Sequence, residues 1–267
     1  FITEYRTHAT EFASKITNDF DRVIIAGGDG TFNEFINGYN LDFRIPIGLM
    51  AIGSGNDFAI SLFGNQNTFK KNITSFFKED IEVREVDVGH VLLNEVDGNV
   101  IKKRFINSLG IGFDARVAYL NQTNKFLSGS MSYIFAILRA FINMSQIGFK
   151  VKIDGKDTFS KNALFCSIGN GECAGGGLYL TSGAQIDDGL LDLSIVQLDS
   201  RLKLLKLLPK ASNNDLRDVK ELEQWKFENL EIELETPYYT HVDGEMLSAS
   251  SKNVKVSILK DTLSIIT

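Results

Sequence analysis

The chain has 267 residues, 43% of them hydrophobic and 23% charged, with a formal charge of −6 at neutral pH. This composition excludes a disordered or fibrous chain and suits one large domain or two modest ones. The acidic balance argues against non-specific nucleic-acid binding, so any attraction to an anionic membrane has to come from a local basic patch.

In chain order, Thr7–Thr17 carries Ala9, Phe12, Ala13 and Ile16 at spacings of three and four and predicts a helix. Val23-Ile-Ile-Ala26 reads as a buried parallel strand running into glycines, and Thr31–Tyr39 restarts helical spacing through Phe32, Phe35 and Ile36. Ile45–Ile52 is a second buried strand, again followed by a glycine loop, Gly53-Ser54-Gly55, and then by a helix from Asn56 to Phe63. Strand, glycine loop and helix, repeated, predict an α/β layer with a mostly parallel sheet, whose ligands bind at the carboxyl ends of the strands. From Ile81 the pattern becomes strand-rich and alternating, with one helical insertion from about Asn124 to Asn143. That predicts an antiparallel β-sandwich. The expected division is residues 1–84 plus about 257–267 for the α/β domain and 85–256 for the sandwich. The most apolar run, Met131–Met144, is too short for a bilayer of about 30 Å and contains Arg139, so it reads as a core or cleft helix. Two cysteines and three histidines at unrelated spacings make no zinc site.

The strongest chemical signal is Gly27-Gly28-Asp29-Gly30-Thr31-Phe32-Asn33-Glu34. Glycines after a buried strand let the backbone approach a ligand, and the helix start that follows offers free N–H groups to phosphate. Asp29 would repel phosphate unless Mg²⁺ intervenes, which points to phosphoryl transfer. The plainer reading is a Gly-Asp-Gly turn capping a helix. No Gly-Lys-Ser/Thr follows, so this is not a Walker loop. The second loop, Gly53-Ser54-Gly55-Asn56-Asp57-Phe58-Ala59, repeats this physics, although an ordinary N-cap by Ser54 or Asn56 also explains it.

With these residues in view, the chain resembles the diacylglycerol kinase catalytic domain family, shared with sphingosine and ceramide kinases and with soluble bacterial lipid kinases. Gly27–Glu34 and Gly53–Ala59 look like its two glycine loops. Gly176-Gly177-Leu178, Ala184–Asp192 and His241-Val242-Asp243-Gly244-Glu245 resemble its later segments in order. The resemblance implies ATP-dependent phosphorylation of a lipid hydroxyl, most readily diacylglycerol to phosphatidic acid, with ATP and Mg²⁺ as cofactors. It implies nucleotide contacts at Thr3, Gly27, Gly28, Asp29, Gly30, Thr31, Asn33, Glu34, Ser54, Asn56 and Asp57. It makes Asp243 the general base, with Asp29 also catalytic, although Asp-Gly between apolar segments is equally a hairpin turn. It implies a structural Mg²⁺ held by Asp188 with the carbonyls of Gln185 and Leu190, and a role for Asp87 in an Asp–water–Mg²⁺ network. The alternative readings are an acidic solvated turn and an outward strand residue.

The first strand, loop and helix of that family have no counterpart before Phe1, so a missing first βα unit is expected. Ser54-Gly55 replaces a threonine-containing pair and keeps the hydroxyl. Arg201–Lys210 places four basic residues among five leucines. It reads as a packed amphipathic surface helix, or as a helix lying against anionic lipid. The expected partners are a lipid substrate met transiently at a membrane surface, with a homodimer left open and no nucleic acid. The expected location is the cytoplasm, peripheral to the inner membrane face. Two other functions stay open: an NAD kinase-like phosphotransferase, supported only by the first loop, and a non-catalytic nucleotide- or lipid-binding regulator.

Overall fold

The computed structural model describes residues 1–64, 73–123, 129–142, 144–198, 200–216 and 218–267. Strands β1 (Val23–Gly27) and β2 (Ile47–Ala51) lie parallel, from Val23 opposite Ile47 to Gly27 opposite Ala51. Equal register brings both glycine loops out at the same end of the sheet.

Helices α1 (His8–Ala13), α2 (Asp29–Gly38) and α3 (Asp57–Phe63) flank these strands. The first is shorter than its spacing predicts. Ser14 Oγ donates to the Glu11 carbonyl at 2.8 Å and competes with the helical ladder. Ile16 stays buried all the same, in the turn that follows. Along α2, Phe32, Phe35 and Ile36 form one buried face, and the Phe32 ring stacks on Phe58 of α3 with centroids 5.2 Å apart.

The strand-rich part begins with β3 (Val83–Glu95), β4 (Val100–Phe105) and β5 (Ser108–Gly112). It continues through β6 (Ile147–Ile153), β7 (Lys156–Ala163), β8 (Phe165–Gly169), β9 (Leu191–Val196) and β10 (Leu222–Phe227). Strand β11 (Asn229–Val242) turns into β12 (Glu245–Ile266). All pairings within this part are antiparallel. The architecture is an α/β layer followed by an antiparallel β-sandwich.

Strand β12 joins the two. It pairs antiparallel with β3 from Ser251 to Ile266 and reaches β2 in parallel at Ile265–Ile47. The segments around Val254–Leu259 and Leu263–Ile266 are therefore one strand of 22 residues, with a register shift between Leu259 and Leu263. The α/β core takes Val86, Val88, Leu263 and Ile265 from these long strands, while the sandwich core gathers Leu109, Ile111, Phe149, Ile168, Leu193, Ile232 and Val256.

The helical insertion is larger than predicted. It comprises α4 (Phe113–Thr123) and α5 (Gly129–Ile142), and residues 124–128 and 143 lie outside the described residues. The earlier start has a simple cause: Phe113, Val117 and Leu120 recur at helical spacing and bury one face. With α6 (Arg201–Ser212), these helices form a third apolar cluster that includes Val117, Ala140, Leu204 and Leu207. No helix among the described residues is long and apolar enough to cross a membrane.

Candidate active site

The two glycine loops touch backbone to backbone. A Cβ at Gly53 would sit 2.4 Å from the Gly28 Cα, so no side chain fits between them. Asp29 spans the contact: its carboxylate accepts from the Asp57 N–H and the Phe58 N–H, both at 3.1 Å. The first loop thereby caps the helix that follows the second. Neither Ser54 nor Asn56 makes that cap. Asn56, with φ of 57°, folds back and exchanges two 2.9 Å hydrogen bonds with Gly53, and Ser54 is exposed at the loop tip.

Asp57 continues the chain of contacts. Its carboxylate accepts from Gly176 N–H at 2.9 Å and Gly177 N–H at 2.8 Å, two residues with positive φ. Burial, with the charge of Asp29 beside it, pushes the Asp57 carboxyl up to about 6 despite those donors. The Gly176-Gly177 segment is thus wired to both glycine loops.

Asp243 sits at the tip of the β11–β12 hairpin, where Val242 pairs with Glu245. Both turn residues have positive φ, 46° at Asp243 and 79° at Gly244, the signature of a type I′ turn. The carboxylate points inward and is nearly buried. Its Oδ1 accepts from Asn107 N–H at 3.0 Å and Ser108 N–H at 2.8 Å. Its Oδ2 accepts from Ile106 N–H at 3.0 Å and from the Asn33 amide at 2.7 Å. Burial raises its proton affinity, and the four donors oppose that rise. Asn33 comes from the first loop's helix, so this one carboxylate ties that helix, the link before β5 and the hairpin together.

Around this center, Glu34 accepts from the Thr7 and Ala9 N–H groups, and Gly30 lies beneath Glu245, which pairs with Arg6 at 3.0 Å. Thr31 packs against Gly27. Thr3 lines an open groove of about 490 Å³ along β1 together with Thr31.

Asp87 and Asp188 occupy a second cluster. The buried Asp87 carboxylate accepts from Asp261 N–H at 2.7 Å and Gly189 N–H at 2.8 Å, and burial raises its proton affinity. Asp188 accepts from Lys226 Nζ at 2.8 Å and from Leu190 N–H at 3.0 Å. Lys226 also reaches Asp192 at 3.1 Å, and Arg84 holds Asp187 at 2.7 Å. Gln185 is exposed. In this arrangement Lys226 lies against Asp188, the carboxylate that the resemblance offers to Mg²⁺ beside the Gln185 and Leu190 carbonyls. Among the described residues no three His, Cys, Asp or Glu side chains converge as a metal site.

Asn107 and Asn170 escaped the sequence reading, and so did the partners of Arg104 and His241. Asn107 donates to the Cys173 carbonyl, and Asn170 donates to the Asp87 and Ile106 carbonyls at 2.9 and 2.8 Å. Arg104 satisfies the Ile36 and Tyr39 carbonyls at the end of α2. The His241 Nε2 faces Asp114 at 3.4 Å, in space left by Gly110, where a Cβ would lie 2.0 Å from Asp114. A buried amide within an apolar run, as in Phe105-Ile-Asn-Ser-Leu109, was the available signal.

The fold and the wired carboxylates define a class, the two-domain kinases built on a glycine-loop layer and a sandwich. The diacylglycerol kinase catalytic domain pattern matches residues 1–91, and the YegS C-terminal NAD kinase beta sandwich-like domain pattern matches residues 107–267. The chain belongs to the diacylglycerol kinase and YegS-like lipid kinase family. It is 30% identical over 210 residues to a diacylglycerol kinase of Mycobacterium tuberculosis (strain H37Rv), covering 78% of this chain and 66% of that protein. It is 25% identical over 253 residues to the diacylglycerol kinase of Bacillus subtilis (strain 168), covering 91% and 79%. In fold it matches a diacylglycerol kinase structure from Bacillus anthracis str. Sterne with a TM-score of 0.68 at 21% identity, covering 99% of this chain and 82% of that one. A yeast NADH kinase complexed with NADH is more distant, at 0.50 and 11%, covering 93% and 62%.

Proposed function

We propose that this chain is an ATP-dependent lipid kinase that moves the γ-phosphoryl group of ATP to a lipid hydroxyl, with diacylglycerol as acceptor and phosphatidic acid as product. The observation that carries this reading is the convergence of Asp243 with Asn33 of the first glycine-loop helix, 2.7 Å apart. A lipid hydroxyl is a weak nucleophile, and a carboxylate within hydrogen-bond reach takes its proton as the bond to phosphorus forms. Three of the donors on Asp243 are the backbone N–H groups of Ile106, Asn107 and Ser108, just before β5 and at its first residue. The fourth is the Asn33 amide, which also contacts the Arg104 carbonyl at 3.1 Å. Asn33 is therefore the one side-chain donor among the four on Asp243.

The glycine loops supply the phosphate side. The start of α2 presents backbone N–H groups and a positive dipole end beside Gly28 and Gly30. The family's use of nucleotide and divalent metal supports ATP as donor, and no step here passes through a metal held by the acidic turn. The test is transfer from radiolabelled ATP to diacylglycerol in mixed micelles, run beside NAD as acceptor. Label in lipid alone upholds the reading, label in NAD alone replaces it, and ATP binding without transfer to either reduces the chain to a binding protein.

A further inference from the structure

Helices α5 and α6 are rooted in one apolar cluster, yet each turns large apolar side chains outward. On α6, Leu204, Leu207 and Ala211 are buried at spacings of three and four. Leu202 and Leu205, on the opposite stripe, are 70% and 49% exposed. On α5, Ala136 and Ala140 are buried, while Phe135 and Leu138 are 48% and 57% exposed. A helix that only covers a core exposes polar residues on its outer face. These two do not.

The charges that the two helices themselves carry have one sign. Neither helix contains an acidic residue, although the chain carries 34. Lys203, Lys206 and Lys210 form the stripe next to Leu202 and Leu205, and exposed Arg139 follows Leu138. Lys203 pairs with Glu221 at 3.4 Å. In a chain of charge −6 each helix presents a local basic and apolar stripe, the composition that embeds at an anionic bilayer, with long cationic side chains reaching the headgroups. A second copy of the same face would bring like charges together.

The surface also adjoins the candidate site. Tyr179 N–H donates to the Ala211 carbonyl at 2.9 Å, at the end of α6. Two and three residues earlier, Gly177 and Gly176 hold Asp57. One short segment thus connects the helix to the glycine loops.

We propose that the outward faces of α5 and α6 dock the protein on anionic phospholipid bilayers. The proposal rests on the lipid-kinase reading only for its purpose, since docking is measured without catalysis. The experiment is sedimentation with vesicles of phosphatidylcholine alone and of phosphatidylcholine mixed with phosphatidylglycerol. The parent protein is expected to bind only the mixed vesicles and to release as salt rises. The pair Lys206→Glu and Lys210→Glu should weaken binding about tenfold or more. The pair Leu202→Ser and Leu205→Ser should weaken it at every salt concentration, and Phe135→Ser with Leu138→Ser should do the same. Circular dichroism and transfer to a water-soluble short-chain diacylglycerol should match the parent in each case. Equal binding of both vesicle types overturns the proposal, and so do variants that bind like the parent. Self-association through this face without vesicle binding also overturns it. A protein that docks but transfers no phosphate leaves the docking standing and removes the kinase reading.

Discussion

Two groups of aspartates occupy neighbouring parts of this molecule, and their partners differ in kind. Around the glycine loops, Asp29, Asp57 and Asp243 are held mainly by backbone N–H groups drawn from other elements. In the turn before β9 and at the start of that strand, Asp187, Asp188 and Asp192 are held by Arg84 and Lys226. Backbone donors fix a carboxylate in place without cancelling its charge, while a lysine cancels the charge and holds it loosely. The first arrangement leaves a fixed negative charge, and the second leaves a neutralised pair.

The largest expected effect is at Asp243. Asp243→Ala removes the acceptor for three buried backbone N–H groups and one amide and forces alanine into positive φ. The loss should be about 3–5 kcal/mol in urea unfolding. A loss below about 1 kcal/mol would break the contrast between the two groups.

Next comes Asp57, whose proton is held up to about 6 in the folded state. Between about pH 4 and pH 6 the unfolded chain has lost that proton and the folded chain keeps it. The folded state binds more protons there, so stability falls as pH rises across the window, by about 2–3 kcal/mol in total. Asp57→Asn should remove that part of the slope, leaving the share due to other carboxylates. Unfolding curves for both proteins at the two ends of the window measure the difference. Gly110→Ala should cost about 1–3 kcal/mol by driving a methyl group into the Asp114–His241 contact, read as a lower thermal midpoint. Smallest is Asp188→Asn, which gives up a partly exposed ion pair while Lys226 keeps Asp192. It should change stability by at most about 1 kcal/mol. A larger loss would move Asp188 into the first group.

Local patterns made much of this legible. The β-branched runs at Val23–Ala26 and Ile45–Ile52 mark β1 and β2, and the glycines after them mark the loops, because burial and close approach leave their trace on the residues concerned. What is set by distant partners left no such trace. Asp29 caps α3 from 28 residues away, and nothing near Asn56 shows that its own side chain turns elsewhere. Asn33 meets Asp243 across 210 residues. The length of β12 is hidden locally because Lys260 and Asp261 interrupt its alternation, while the register shift that absorbs them depends on β3. The helix at Phe113–Thr123 was missed because strands precede it and its polar residues hide a short apolar face.

The most direct test of the central claim is the rate of phosphate transfer from ATP to diacylglycerol by Asp243→Asn at saturating ATP, with bound nucleotide measured in parallel by calorimetry. The account predicts unchanged ATP binding and a transfer rate lower by about 10²–10⁴-fold. A variant that binds ATP and transfers phosphate at the parent's rate would contradict it.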